Sequence, residues 1–227
     1  MTAPATLEAR VTLHRAEFVL DVDLTMRPGE VVLLTGDNGA GKSTLVRAIA
    51  GAIPIDAGCI AIGGRVVDDP GSRTFVPPER RGVGLVHQDA RPFPRMTTVE
   101  NVAFGLRARG VSRASARSTA MEVLIGHGLA GLADRRGAQV SGGEGRRIVM
   151  ARTLAVRPDL LLLDEPLSAI DGSAREALIG VLRSVAADHD TSILLVTHDP
   201  DELSSIADRR LHLVEGRLSP RGPGPVT

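Results

Sequence analysis

The sequence of 227 residues has no tryptophan, no tyrosine and a single cysteine, Cys59. One thiol excludes an intramolecular disulfide framework and a metal site built from several cysteines, and it favours a cytosolic address. Cys59 itself is expected to serve as a small buried hydrophobe. Long apolar runs are also missing. The most continuous, Leu160 to Leu163 and Ile193 to Val196, are far shorter than the ~20 residues of a spanning helix. Met1 to Arg10 holds no basic segment followed by an apolar stretch and a small-residue cleavage site, so no secretory signal is expected. Nor is there an excess of either charge: Lys+Arg and Asp+Glu both count 27. No global basic field therefore exists to hold nucleic acid or an anionic membrane by charge alone, and any membrane docking must be specific.

What is present can build a core, since 43% of the residues are hydrophobic and the length suits one domain with a modest subdomain. From Phe18 to Leu24 apolar and acidic residues alternate, the period of a half-buried strand in an antiparallel opening sheet. Val31 to Leu34 is a short buried-strand run ending in a glycine-rich turn, after which Leu45, Val46, Ile49 and Ala50 recur at helical spacing until Gly51. Cys59 to Ile62, Gly63-Gly64 and Val66-Val67 predict a hairpin, with a further strand over Gly82 to Val86. From Thr98 to about Leu154 the pattern turns helical, with Val99, Val102, Ala103 and Leu106 on one face and Ala120, Val123 and Leu124 on another. This reads as a helical subdomain, about 90–155, inserted into an α/β body. Leu160 to Leu163 and Ile193 to Val196, separated by Ala174, Ala177, Leu178, Val181, Leu182 and Val185 at helical spacing, form a βαβ unit of a parallel sheet. Leu211 to Leu218 closes as a hairpin. The expected organisation is one domain over 1–218 and a flexible, Pro/Gly-rich tail over 219–227. No internal repeat is visible.

The chemistry concentrates at three strand ends. Gly36-Asp37-Asn38-Gly39-Ala40-Gly41-Lys42-Ser43, followed by Thr44, fits a P-loop between a buried strand and a helix start. Its glycines turn backbone N–H groups toward phosphates, Lys42 reaches the β and γ oxygens, and the Ser43 hydroxyl can ligate Mg²⁺. Leu160 to Leu163 delivers Asp164 and Glu165 to the carboxyl edge of the sheet, where ligands of parallel sheets bind. Asp164 is expected in the Mg²⁺ shell and Glu165 as the general base for the attacking water. His198 follows the next strand on the same edge and can donate to a γ-phosphate or orient the water. The other histidines are taken as incidental.

To this point the residues say P-loop NTPase. Val140-Ser141-Gly142-Gly143-Glu144, before a helix start read at Gly145, resembles the signature motif of ABC ATPases. Ser-Gly-Gly alone is an ordinary loop, but here it stands between the P-loop and Leu160 to Glu165, and a helix N-terminus offers amides and a favourable dipole to phosphate. With Ser168-Ala169-Ile170-Asp171 similar to the D-loop and Gln88 similar to the Q-loop glutamine, the resemblance spans roughly Leu7 to Leu218. It implies the ABC ATPase fold, a P-loop core with parallel sheet, an N-terminal antiparallel β subdomain and an inserted helical subdomain.

The resemblance further implies ATP hydrolysis with Mg²⁺ by a head-to-tail dimer, of two copies or with a related subunit. Ser141 to Glu144 and Asp171 then act on the partner's nucleotide. Gln88 touches Mg²⁺ or the attacking water and reports to a transmembrane permease. The permease groove is expected near Gln88 to Val99, with Ala90, Pro92, Phe93, Pro94, Met96 and Val99 as apolar contacts between Arg91 and Arg95; a loop packed over the core is the alternative. The chain is then peripheral on the inner face of the plasma membrane, with no nucleic acid expected.

The stretches Gly64 to Gly84 and Gln88 to Pro94 look most like importer ATPases of the molybdate, sulfate, iron and polyamine group, the molybdate type nearest, which adds an extracytoplasmic solute-binding protein as a further partner. Three departures stand out. The C-terminal regulatory domain that this importer group often carries is not expected here. The adenine-stacking aromatic expected about where Leu13 stands is missing, leaving His14 or Phe18 nearby. The signature has Val140 for the usual Leu and Gly145-Arg146 after the Glu. Two alternatives remain: a nucleotide-gated ABC scaffold of a cell-envelope complex, and a non-transport ABC ATPase.

Overall fold

The computed structural model describes residues 5–15, 18–168, 170, 172–188, 191–199, 201 and 203–219. Alternation shapes its first two strands. In β1 (Leu7–Arg15) and β2 (Phe18–Met26) every second side chain is buried, Leu20, Val22 and Leu24 among them, while Val19, Asp21 and Asp23 face out. The rest of the chain runs β3 (Val31–Thr35), α1 (Lys42–Ala50), β4 (Ala57–Ile62), β5 (Arg65–Asp69), β6 (Thr74–Phe75), β7 (Val83–Val86), α2 (Thr98–Ala108), α3 (Arg113–Gly126), α4 (Gly142–Leu154), β8 (Leu160–Asp164), α5 (Gly172–Asp188), β9 (Ser192–Val196), β10 (Arg209–Val214) and β11 (Arg217–Ser219). Among the described residues no helix is long and apolar enough to cross a membrane.

The chain divides into two compact units. The first comprises Met1–Leu85, Asp159–Pro166 and Arg183–Thr227. Its strands form one sheet in the order β6-β5-β4-β1-β2-β11-β10-β3-β9-β8-β7. Pairing is antiparallel from β6 to β2 and parallel from β10 through β3 and β9 to β8, with the β10–β11 hairpin joining the two halves. Each residue of β3, β8 and β9 is buried, as expected of parallel strands covered on both faces. The register brings Thr35, Val196 and Asp164 to one sheet edge. Three chemistry-bearing loops therefore leave the same edge side by side.

Cys59 departs from its expected burial. It pairs with Arg10 across β1 and β4 and is only partly buried, while Ile60 and Ile62 carry the core side. A one-residue step along a strand reverses the face, and the register gives the core to the isoleucines.

The second unit comprises Val86–Pro158 and Leu167–Leu182. Here α2, α3 and α4 enclose a core of small and medium side chains, including Val99, Val102, Ala116, Ala120, Leu124, Ile148 and Ala151. Each helix starts on a side-chain cap: Thr97 for α2, Ser112 for α3 and Ser141 for α4. Thr97 and Ser141 form capping boxes with Glu100 and Glu144, satisfying donors that a helix start otherwise leaves open. Val99 is 1% exposed and belongs to this core, which removes it from the expected docking contacts.

Candidate functional site

In the first unit, β3 ends at Thr35 and the loop from Gly36 to Gly41 leads into α1. Backbone geometry dictates its glycines. Gly36 (φ 152°) lies so close to β10 that a Cβ would sit 2.3 Å from the Leu213 carbonyl oxygen, and at Gly41 (φ 105°) a Cβ would sit 2.6 Å from Phe18 Cζ. Unlike α2, α3 and α4, α1 begins with no side-chain cap; its first turn also holds no acidic residue. Its first amides are therefore left for an anion from outside, with the helix dipole behind them. Asp37, Asn38 and Gly39 form the exposed loop tip, and Ala40 is buried. Lys42 is 7% exposed, and its ammonium donates to the carbonyls of Gly36 (2.6 Å) and Asp37 (3.0 Å), so it already lies inside the loop. The Ala40 carbonyl accepts from the Gly216 N–H at 3.1 Å, which ties the loop to the β10–β11 turn.

At the neighbouring strand ends the Ser43 hydroxyl donates to Asp164 Oδ1 at 3.1 Å. A hydroxyl and a carboxylate on two elements are hard oxygen donors, the class Mg²⁺ prefers, and they converge beside the loop. Thr44 follows in the first turn of α1. Glu165 has a positive φ of 52° that a non-glycine residue adopts only when its surroundings impose it. Its N–H donates to Val196 O. Its side chain is 12% exposed and held at both oxygens: Oε1 accepts from the His198 N–H at 3.0 Å and lies 2.9 Å from His198 Nδ1, and Oε2 accepts from Thr197 Oγ1 at 3.2 Å, which leaves Oε2 a further acceptor site. A carboxylate can only accept, so Nδ1 is the donor in this contact. In that arrangement the ring donates from Nε2 only when doubly protonated.

In the second unit, α4 starts at Gly142, three residues before the expected Gly145. The reason is the capping box, in which Ser141 Oγ accepts from Glu144 N and a Glu144 carboxylate oxygen accepts from Ser141 N. Gly142 and Gly143 thus occupy the first helical turn itself. The Ser141 hydroxyl is an acceptor in the cap and keeps its proton for donation outward. Gln88 is exposed and its Nε2 donates to Ser168 Oγ at 3.3 Å. Asp171 and Ala169 lie outside the described residues, as do residues 220–227 of the expected tail.

A cavity of about 530 Å³ in this unit is lined by Gln88, Pro92, Val140, Ser141, Arg146 and Ser168, among others. Phe93 is half-buried, 4.8 Å from Phe104 between ring centroids and covered by the Arg152 guanidinium at 4.3 Å. Its backbone is clamped by the buried Asn101, which accepts from Phe93 N and donates to Phe93 O. The Phe93 segment is thus a packed loop, while Pro94 and Arg95 beside it are exposed.

Of the adenine-side candidates in the first unit, Leu13 is wholly core, and His14 is occupied by Asp56 through both backbone and ring. Only Phe18 touches the phosphate loop. Thr197, Gly216 and Arg146 were not singled out from the sequence. Thr197 stood beside His198 as a neighbour with a hydroxyl, but the Gly216 and Arg146 contacts join distant segments and leave no local signal.

Comparison with known proteins identifies the family and the fold. A family model described as ABC transporter matches residues 19–168. An iron(III) import ATP-binding protein of Streptomyces avermitilis is 44% identical over 217 residues, 95% of this chain and 61% of that protein. A molybdenum import ATP-binding protein of Mycobacterium tuberculosis is 41% identical over 208 residues, 90% of this chain and 56% of that protein. A sulfate/thiosulfate import ATP-binding protein of Mycobacterium bovis is 41% identical over 220 residues, covering 96% and 61%. The chain thus spans 56–61% of the length of these relatives. The fold matches a crystal structure of a nucleotide-free ATP-binding cassette from an ABC transporter, with a TM-score of 0.81 over 97% of this chain and 92% of that one, at 22% identity.

Proposed function

The chain belongs to the ABC transporter family, and from that premise we propose that it is the ATP-hydrolysing subunit of an importer, a single cassette over 1–218. The observation that carries this reading is the meeting, on one sheet edge, of an uncapped helix start behind Lys42 with the Glu165 carboxylate held by Thr197 and His198. Loop amides and Lys42 bind the triphosphate. Ser43 and Asp164 are the groups to hold Mg²⁺, with Gln88 added by resemblance; bound there, the ion neutralises charge on the phosphate oxygens. Glu165 takes the proton of the attacking water, and its two fixed oxygens keep it from rotating away. His198 supports Glu165 through Nδ1; its Nε2 accepts from the water when the ring is neutral and donates to the γ-phosphate when the ring is doubly protonated.

Ser141 to Glu144, together with Asp171, acts on the nucleotide of a second subunit, a copy of this chain or a related one, in a head-to-tail pair. A permease docks beside the cavity at Gln88 to Pro94, and an extracytoplasmic solute-binding protein completes the system, with this chain peripheral on the inner membrane face. The cargo is a small inorganic ion or oxyanion such as molybdate, a reading supported by relatives named for iron, molybdenum and sulfate import.

The test is phosphate release from Mg·ATP by the wild type and Glu165→Gln, with nucleotide binding measured in parallel. The variant is expected to bind ATP as before, pair in its presence and turn over at least ~100-fold more slowly. Undiminished turnover would remove Glu165 from the chemistry, and a wild type indifferent to Mg·ATP would remove the function.

A further inference from the structure

Arg146 lies one turn into α4 and is 9% exposed. Its guanidinium is spent on two backbone carbonyls from distant segments: Nη1 donates to His87 O at 3.0 Å and Nη2 to Ser168 O at 3.2 Å. Among the described residues no carboxylate lies within ion-pair distance of it. Burial pulls its pKa below the ordinary guanidinium value, and among the described residues the charge opposing that is Asp89, beyond ion-pair distance. A buried cation without a close counter-ion is costly, and a hydrophobic side chain of similar size commonly fills such a place at no loss of stability. Packing alone therefore does not account for an arginine here.

The two carbonyls it holds explain the choice. His87 immediately precedes Gln88, and Ser168 supplies the hydroxyl that accepts from Gln88 Nε2 at 3.3 Å. A single planar fork thus fixes both the backbone from which Gln88 projects and the residue on which its amide rests. It does so from the helix whose first turn is Ser141-capped. Gly145, directly before Arg146, lets α4 approach this segment, since a Cβ there would meet Pro92 Cδ at 3.3 Å.

We propose that Arg146 is a positioning residue for Gln88: by tying the His87 and Ser168 carbonyls to α4, it sets where the Gln88 amide stands. The Gln88 amide must leave Ser168 to serve the metal or the attacking water, and the Arg146 fork fixes the points it leaves from and returns to. This rests on the proposed ATPase reading and on the role of Gln88 within it.

The experiment is a double-mutant cycle on the full chain, with steady-state Mg·ATP hydrolysis as readout for wild type, Arg146→Met, Gln88→Ala and the pair, and Arg146→Lys beside them. Arg146→Met is expected to lower kcat by about ten- to a hundredfold, the usual cost of a misplaced catalytic group, with KM for ATP moved less than about threefold. In the Gln88→Ala background the same change should add almost nothing, because the group it positions is gone. Arg146→Lys, which retains a charged donor for at least one carbonyl, should recover part of the rate. Losses that multiply in the double variant, or an increase in KM as large as the fall in kcat, would overturn the role of Arg146 while leaving the ATPase reading intact. A wild type without Mg-dependent turnover would overturn both.

Discussion

Replacing Arg81 by methionine should strongly destabilise the fold although the site is remote from the phosphate loop. Arg81 and Asp68 are buried in the first unit with side chains 0% and 2% exposed, and their nearest atoms are 3.2 Å apart. The same guanidinium donates to Val76 O at 2.7 Å and to Ala48 O and Ile49 O at 2.9 and 3.1 Å, the last two being carbonyls at the C-terminal end of α1. It also lies 5.1 Å from the centre of the Phe75 ring. Methionine fills much of the volume but leaves a buried carboxylate and the Val76 and Ile49 carbonyls without the arginine donor, while Ala48 O keeps the Gly51 N–H; breaking such a pair costs about 3–5 kcal/mol. At the few degrees per kcal/mol typical of a domain this size, the thermal midpoint should fall by about 10 °C.

The loss should depend on pH in a defined direction. Burial already raises the Asp68 pKa above the ordinary carboxylate value against the pull of Arg81, and removing Arg81 raises it further. An acid whose folded pKa is raised binds its proton more tightly in the folded state. Stability is therefore retained below the unfolded pKa and lost as pH rises through the folded one. Arg81→Met should thus be less destabilised near pH 5 than near pH 8, and adding Asp68→Asn should recover a large part of the deficit at the higher pH. Chemical denaturation of the three variants at both pH values measures this. A deficit below about 1 kcal/mol, or a double variant no more stable than Arg81→Met, would refute the assignment of the energy to an orphaned charge.

Lys42→Ala should weaken ATP binding, measured by titration with a fluorescent nucleotide, and unaltered affinity would count against the phosphate loop. Ser141→Ala removes the α4 cap at a cost of about 1 kcal/mol; turnover should drop while ATP affinity of the isolated chain stays put, and equal effects on both would contradict action on a second subunit's nucleotide. The Thr97 N–H holds the Glu100 carboxyl below the ordinary carboxylate value, so its contribution to α2 is present above the unfolded pKa and lost as pH falls through the folded one. Glu100→Gln should flatten the acid limb of helix stability followed by circular dichroism between neutral pH and about pH 3, and an unchanged limb would discount the capping box.

The phosphate loop is legible in the sequence because the Leu213 carbonyl of β10 leaves no room for a side chain at Gly36, and Phe18 and Leu20 of β2 leave none at Gly41, a demand written as glycine. Buried parallel strands were equally plain as the runs at Val31, Leu160 and Ile193, since burial on both faces needs continuous apolar residues. α4 starts three residues before the sequence expectation although Ser141 and Glu144 stand at capping-box spacing, because the two glycines between them mask a helical turn that the cap sustains. Val99 looked like a docking contact because its neighbours Pro92 to Met96 lie outside the helix, yet it falls on the inner stripe with Val102 and Ala103. The clamps of Arg81 and Arg146 had no sequence signature, since each bonds backbone carbonyls, and any residue carries one of those.

The hydrogen bond from Gly216 to Ala40 has a consequence for synthesis. β3 pairs with β9 and β10, and the loop it leads into is braced by the turn between β10 and β11, all of which leave the ribosome long after the glycines themselves. A nascent chain carrying the loop but not those strands has an unshaped glycine segment, so its grip on nucleotide is acquired only when the distant hairpin arrives.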